Sequence, residues 1–438
     1  MPIETLVPLV FALLFFVLFL GANLGLAMSG AALLGTTMII GQDGALALAG
    51  LSVYESAQNF SLSVIPLFVL MGSFATKSGI STDLFSAFNT WLRRRKGGLA
   101  HASIAACAAF GAVCGSSIAT AATMGKVALP QMARFGYSDR LATGALAAGG
   151  TIGVLIPPSV IMLIYGILTE TSIGDLFIAG IVPGLLLTLF FMLTIVLMTR
   201  INPASAPDVA QQEDDFEKDP QGSSIRKVWA TLLLFIMVIG GIYAGIFTPT
   251  EAAGFGAMGA LFLGVVMRRL TLKLIGECLI ETVQTTSMIF LILIGAILFA
   301  GFLSLSGTPA LLGQWITGLS LSPLGTILVI VGIYIILGAF LDTMAMIILS
   351  IPIFFPIVMS LGFDPIWFGV LVVLVVELAL ITPPLGMNVF IIRGVVPHVP
   401  LSQIFAGVLP FCIALIALIV LIIAVPSVAT FLPELANR

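Results

Sequence analysis

Apolar segments long enough to cross a bilayer follow one another along nearly the whole chain. A spanning helix needs about 20 predominantly apolar residues, and runs of that kind fall, for example, at 176–199 and 401–425. The composition agrees: of 438 residues, 60% are hydrophobic and 8% charged, with a mean hydropathy of +1.21. A soluble chain carries roughly 25% charged residues. A soluble enzyme, a disordered chain and a nucleic-acid binder are therefore excluded, and a net charge of -3 offers no basic surface for phosphates. The 45 Gly and 23 Pro fit membrane helices, which tolerate both. The first apolar run, from Leu6, has no basic residues before it and continues past Leu20, so it reads as a retained span and not a cleaved signal peptide.

Spans are expected near 6–20, 23–40 and 60–76, with the intervening 42–59 too polar to cross. An amphipathic stretch ending in Arg93, Arg94, Arg95 and Lys96 should lie in the interface. Residues 99–134 are apolar but broken at 114–117 (CGSS), and 138–170 are apolar but broken at 156–159 (IPPS). A clean span covers 176–199, and the hydrophilic 200–227 reads as a linker. The second half repeats this order. Spans fall near 228–247, 250–267 and 286–304, followed by an interfacial piece at 308–319. An apolar pair over 322–360 is broken at Asp342-Thr343, a span over 364–397 is broken at TPPLG (382–386), and a last span covers 401–425.

A shift of 226 residues makes the repeat explicit, carrying Pro130 onto Pro356, Gly136 onto Gly362 and Pro157-Pro158 onto Pro383-Pro384. Ser116-Ser117 falls on Asp342-Thr343. The matches sit at residues that shape the backbone, which carry architecture. If the regions 99–134 and 322–360 are re-entrant hairpins, each half (1–200 and 228–438, joined by a cytoplasmic linker at 201–227) crosses five times. Five is odd, so the halves are inverted. With the N-terminus outside, the cytoplasmic side receives Lys77, Arg93 to Lys96, Arg134, Arg140, Arg200, Lys218, Arg226, Lys227, Arg268, Arg269, Lys273 and Arg393, and the outside only Arg438. That partition obeys the positive-inside rule. It supports the orientation without proving the hairpins, because two full spans per hairpin would preserve it. The expected fold is an all-α polytopic membrane protein: an inverted repeat of two five-crossing halves with two re-entrant hairpins and two broken helices.

Inverted repeats with broken helices mark secondary transporters, whose freed carbonyls and half-helix ends hold cations and anionic solutes. The first candidate site joins Gly115, Ser116 and Ser117 with the broken segment 149–159 (GGTIGVLIPPS). Gly allows close backbone approach, Pro unlatches an upstream carbonyl, and hydroxyls add hard oxygen ligands; the same small residues also serve tight helix packing. The second joins Leu341, Asp342 and Thr343 with 377–388 (ELALITPPLGMN). A charge within the bilayer costs about 2.5–3.5 kcal/mol or more. Asp342 and Glu377 therefore need a partner, a proton or a cation, although Asp342 also suits a helix cap and Glu377 a structural bond to a helix end. Thr382 offers a hydroxyl, and Asn388 lies one turn beyond the prolines. Glu251 reads as a helix cap, and His101 and His398 have no metal-ligand spacing. Cys107, Cys114, Cys278 and Cys412 read as packing residues. With no Walker A, HExxH or GxGD motif, neither an ATP pump nor an intramembrane protease is supported.

These motifs resemble a known family. The stretches FGAVCGSSIATAATMGKVALPQM, GYSDRLATGALAAGGTIGVLIPPSVIMLIYG, FTPTEAAGFGA, LGAFLDTMAMIILSIPIFFPIV, LGFDPIWFGVL and ELALITPPLGMNVF are similar to the large membrane subunit of the tripartite ATP-independent periplasmic (TRAP) transporters. The resemblance runs from about Phe60 to the C-terminus and carries no role to Lys126 or Arg393. It implies a non-enzymatic, Na⁺-driven importer of organic acids in a bacterial inner membrane, with the N-terminus periplasmic. Its implied partners are a small four-helix membrane subunit and a soluble periplasmic substrate-binding protein. It implies an elevator, in which the hairpins and broken spans slide against a scaffold of the other spans. It places a first Na⁺ site at Gly115, Ser116, Ser117, Gly153, Ile156 and Pro158. By symmetry a second falls at Asp342, Thr343, Ala379, Thr382 and Pro384. Substrate is expected near Ser116, Ser159, Thr343 and Asn388, with Glu377 grouped beside them. Competing readings are a standalone Na⁺/dicarboxylate symporter of related architecture, an ion channel and a non-transporting scaffold.

Overall fold

The computed structural model describes residues 3–207, 228–308, 311, 322–338, 341–384 and 386–436. The linker from 208 to 227, most of the interfacial piece at 308–319, Leu385, and the topology charges Lys218, Arg226, Lys227 and Arg438 lie outside them. The first half runs through α1 (Ile3–Phe19), α2 (Leu24–Gln58), α3 (Val64–Lys77), α4 (Ile80–Leu92), α5 (Gly98–Cys114), α6 (Ser117–Arg134), α7 (Asp139–Leu155), α8 (Val160–Thr169) and α9 (Ile173–Ile201). The second runs through α10 (Trp229–Tyr243), α11 (Pro249–Val266), α12 (Leu272–Leu305), α13 (Pro323–Leu337), α14 (Thr343–Ser360), α15 (Pro365–Ala379), α16 (Met387–Val395), α17 (Leu401–Ala424) and α18 (Ser427–Ala436). Every regular element among the described residues is helical.

Seven described helices are long and apolar enough to cross a membrane, eight if α7 and α8, bent by 41°, form one span. The chain is a multi-pass membrane protein. The first expected span of each half is short: α1 has 17 residues, and α10 covers 15, with a π-turn at Ile236–Gly240. At 1.5 Å per residue such helices reach only about 25 Å. Two boundaries differ from expectation. The polar 42–58 is helical and joins α2 through a kink at Gly41, whose φ of 83° interrupts the helix. The polar residues before the span at 286–304 are also helical, so α12 is one rod of 34 residues. In both, most polar side chains, among them Asp43, Glu55, Lys273 and Glu281, are exposed while the helical backbone satisfies itself, so polarity limited the span without limiting the helix. The terminal helix α18 was not anticipated.

The 226-residue offset also relates several helices. It carries α6 onto α14 end for end and α7 onto the start of α15. The N-caps repeat with it: Ser116 caps α6 as Asp342 caps α14, and Ser138 caps α7 as Asp364 caps α15. Each side chain accepts a hydrogen bond from an amide in the first turn, satisfying a donor that lipid cannot. Both Pro-Pro bonds, 157–158 and 383–384, are cis, and Gly136 and Gly362 both have positive φ.

The centre is formed by the helices that precede those prolines. α7 is buried continuously from Leu141 to Leu155, and α15 from Trp367 to Ala379. A helix without a polar face has no surface to give to an interface, so it is enclosed. α15 achieves this with Val and Leu. α7 uses Ala and Gly, which let neighbouring backbones approach: Gly144 abuts Gly407 of α17, and Gly153 abuts Gly111 of α5. Two hydrogen bonds tie the central helices to others: Tyr165 Oη donates to Pro365 O at 2.6 Å, and Trp367 Nε1 to Ile422 O at 2.9 Å. The four cysteines are buried and unpaired.

Candidate functional site

The helix breaks converge. α5 ends at Gly115, whose φ of 64° reverses the chain, and α6 begins after Ser116. A side chain at Gly115 would collide with the carbonyl of Pro158, so the tip rests directly on the break in the α7–α8 span. In the second half Asp342 Oδ1 accepts from Ala345 N at 3.1 Å, the cap its position suggested. Both tips open onto one cavity of about 340 Å³, lined by Gly115, Ser116, Ser117, Asp342, Thr343 and Glu377 among others. Six of the candidate residues, from both halves, are thus brought together.

Glu377 is wholly buried on α15. Its Oε2 accepts the Ser117 hydroxyl, which also lies 3.1 Å from the carbonyl of Gly150. A hydroxyl has one proton, so it serves one of these acceptors at a time. Glu377 Oε1 and Thr343 Oγ1 are buried without a hydrogen-bond partner among the described residues. An ionised carboxylate in this position needs a cation or further donors. Glu281 also lines the cavity, giving it three carboxylates with Asp342 and Glu377, and its described lining has no Lys, Arg or His.

The remaining candidates lie outside the cavity lining. The carbonyls of Gly153 and Val154 would pair with the N–H groups of residues 157 and 158, but both are proline. The same holds for Ala379 and Leu380 before Pro383 and Pro384; there Leu380 O instead accepts Asn388 N at 3.1 Å, and Thr382 Oγ1 donates to Ala379 O at 3.4 Å. Ile156 caps the end of α7 in extended conformation. Ser159 caps α8, accepting from Met162 N at 3.2 Å, and is fully buried. Asn388 is fully buried in α16, donating to Ala147 O at 3.2 Å. Gly153, Ile156, Pro158, Ser159, Ala379, Thr382, Pro384 and Asn388 do not line the cavity. They shape the breaks against which it is built. Glu251 forms a capping box with Thr248.

The sequence reading missed the opposite wall. There Ser73 on α3 donates to Glu281 Oε2 on α12 at 3.0 Å, with Thr285 beside them. Ser73 fell inside the expected span at 60–76, and Glu281 and Thr285 in the stretch between the expected spans at 250–267 and 286–304.

The arrangement offers hydroxyls, carboxylates and backbone carbonyls at paired helix breaks. Comparison with known proteins agrees. Residues 11–428 match the family model of the "Tripartite ATP-independent periplasmic transporter, DctM component". The chain belongs to this family. It is a transporter permease subunit and not an enzyme. It is 38% identical to the C4-dicarboxylate TRAP transporter large permease protein of Pseudomonas aeruginosa over 93% of each chain. It is 34% identical to the sialic acid TRAP transporter large permease protein of Vibrio cholerae, covering 86% of this chain and 87% of that one. It is 31% identical to the ectoine TRAP transporter large permease protein of Halomonas elongata, covering 96% and 97%. Among solved structures, the Alcanivorax borkumensis YdaH transporter shares the fold, with a TM-score of 0.59 at 17% identity over 87% of this chain and 88% of that one.

Proposed function

We propose that this chain is the membrane-embedded carrier of a Na⁺-coupled importer of small organic acids in a bacterial inner membrane. The observation that carries the reading is the single cavity shared by the two hairpin tips, with three carboxylates and two unpartnered buried oxygens. Hard oxygen donors at broken helices suit Na⁺, and an anionic solute entering such a cavity needs cations beside it. One Na⁺ belongs with Gly115 to Ser117 and the carbonyls freed before Pro157-Pro158, a second with Asp342, Thr343 and the break before Pro383-Pro384. The solute lies between the tips, near Ser116, Thr343 and Glu377, with Ser159 and Asn388 holding the wall behind it.

The hairpins and broken spans (α5–α8 and α13–α16) form the mobile unit in this reading, and the remaining spans the scaffold, with the halves inverted and the N-terminus periplasmic. Each Na⁺ moving inward gains about 2.3 kcal/mol per 100 mV. The family implies a small membrane subunit and a periplasmic binding protein, and relatives named for C4-dicarboxylates, sialic acid and ectoine point to small, strongly polar acids. The test is uptake of a labelled panel of such solutes into liposomes holding this chain and its small subunit, with the binding protein outside. Uptake requiring both an inward Na⁺ gradient and the binding protein is expected. Uptake with Na⁺ alone would indicate a standalone symporter, and none of any solute by folded protein would overturn the reading.

A further inference from the structure

The scaffold wall of the site cavity is built twice. Glu281 and Thr285 stand on it, and the 226-residue offset relates them to Glu55 and Asn59. Glu55 and Asn59 line a second cavity, of about 670 Å³. Its other scaffold wall is the last part of α12, from Leu293 to Ser304. The offset relates that segment to residues 67–78, where α3 supplies Val69, Gly72, Ser73 and Thr76 to the first cavity. The first wall thus corresponds residue for residue at Glu281/Glu55 and Thr285/Asn59; the second corresponds only as a segment, since Val69, Gly72, Ser73 and Thr76 fall on Gly295, Leu298, Phe299 and Phe302, which do not line the second cavity.

The two cavities lie at opposite ends of α12. The first meets its early part, after Lys273 and beside Lys77, which pairs with Glu277 at 3.6 Å. The second meets its final turns. What faces the repeated wall differs. In the first cavity it is the two tips together with α15, and Thr343 Oγ1 and Glu377 Oε1 have no hydrogen-bond partner there among the described residues. In the second it is the end of α8 and the Ile351–Pro356 part of α14.

We propose that Glu281 and Glu55 are paired scaffold carboxylates, one toward each face of the membrane, which the same hairpin-tip site meets in turn. Glu281 is its partner in the conformation described here, and Glu55 its partner once the tips have moved to the other wall. The inference rests on the Na⁺-coupled, alternating reading above. A carboxylate at each mouth raises the local cation concentration. A matching carboxylate on each side also brings the two end states closer in free energy, so the loaded site is not trapped on one side.

The test uses the full chain with its small subunit, in a variant freed of the four native cysteines that retains uptake. Cysteine pairs Ala119→Cys with Thr285→Cys and Ala119→Cys with Asn59→Cys are oxidised in membranes, with short and long bifunctional maleimides as alternatives. Both pairs are expected to cross-link, the second rising as the first falls when Na⁺ is moved from the inside to the outside. Cross-linking of the first pair with none of the second, at any linker length, overturns the proposal. In transport, Glu55→Gln is expected to raise the half-saturating external Na⁺ by roughly three- to tenfold, the size of one screened charge contact. Glu281→Gln should instead shift inhibition by internal Na⁺. Equal effects of both variants on the same side also overturn the proposal. Wild-type uptake indifferent to Na⁺ would sink the coupling reading alone, because cross-linking judges the alternation independently.

Discussion

Ser117, at the tip of the first hairpin, donates its hydroxyl to Glu377, 260 residues later in the central helix of the other half. The bond closes the two repeats onto one point, and it leaves the second oxygen of Glu377 without a partner. Glu377→Gln keeps an acceptor for Ser117 while removing the charge. Its expected outcome is a near-wild-type melting temperature with Na⁺-driven uptake reduced at least about tenfold, the effect of 1.4 kcal/mol or more on cation binding. Glu377→Ala also opens a hole behind the cavity and is expected to melt earlier. Unchanged Na⁺ dependence in the Gln variant would reduce Glu377 to a structural carboxylate.

Thr343 separates stability from function in the opposite direction. Its hydroxyl is buried, lines the cavity and has no hydrogen-bond partner among the described residues. Burying a hydroxyl unpaired costs roughly 1–3 kcal/mol. Thr343→Val removes that cost at nearly constant shape, so it should melt at the same temperature or higher. If the oxygen serves an ion or the solute, the same variant loses Na⁺ affinity, and Thr343→Ser restores it. Thermal melts beside Na⁺ titrations of uptake decide the point, and a Val variant with full uptake would exclude the hydroxyl from the site.

Much of this architecture was legible because repeat and chemistry fall on the same residues. The pairs Pro157-Pro158 and Pro383-Pro384 mark both breaks, and Ser116 and Asp342, read as site residues, also cap the arms that follow. What was not legible follows from how polarity is read. Residues 42–59 read as too polar to span and 272–285 lay between two expected spans, yet 42–58 and 272–285 are helical, and Glu55 and Glu281 stand on them. Hydropathy measures crossing, and a helix can continue past the membrane without it. Nor could spacing show that Ser159 and Asn388 are enclosed behind the cavity wall, since that depends on which helix covers which face.

Glycine at the first tip is required by space as well as by conformation. Gly115 has φ 64°, and Gly136, at the turn between α6 and α7, has φ 73°. A left-handed conformation costs an L-residue roughly 1–2 kcal/mol. At Gly136 that is the whole cost of Ala, because an added methyl meets nothing within 4 Å. At Gly115 the methyl meets the carbonyl of Pro158, so the tip must lift from the broken span. Gly136→Ala should lower the melting temperature modestly and keep uptake. Gly115→Ala should abolish Na⁺-driven uptake even where folded protein is recovered. Equal transport by the two variants would show that the contact between tip and break is dispensable.

Another inter-half contact, between residues that do not line the cavity, is expected to govern stability. Arg269, counted in the sequence only as a topology charge, lies between α11 and α12 and forms an ion pair with Asp83 of α4. Its Nη2 stands 3.2 Å from Asp83 Oδ1, and its Nη1 donates to Ser78 O at 3.1 Å. Asp83 is buried, with 6% of its surface exposed. Arg269→Ala removes the guanidinium from this carboxylate and from the end of α3. The loss should fall below the roughly 3–5 kcal/mol of a wholly buried pair, because the Arg269 side chain is 29% exposed. Asp83→Asn combined with Arg269→Gln removes both charges together and should cost less than the two single changes summed. A melting-temperature cycle over the four proteins measures the coupling. Additive losses would mean that the pair contributes through packing alone, and uptake per folded molecule should stay constant across the cycle.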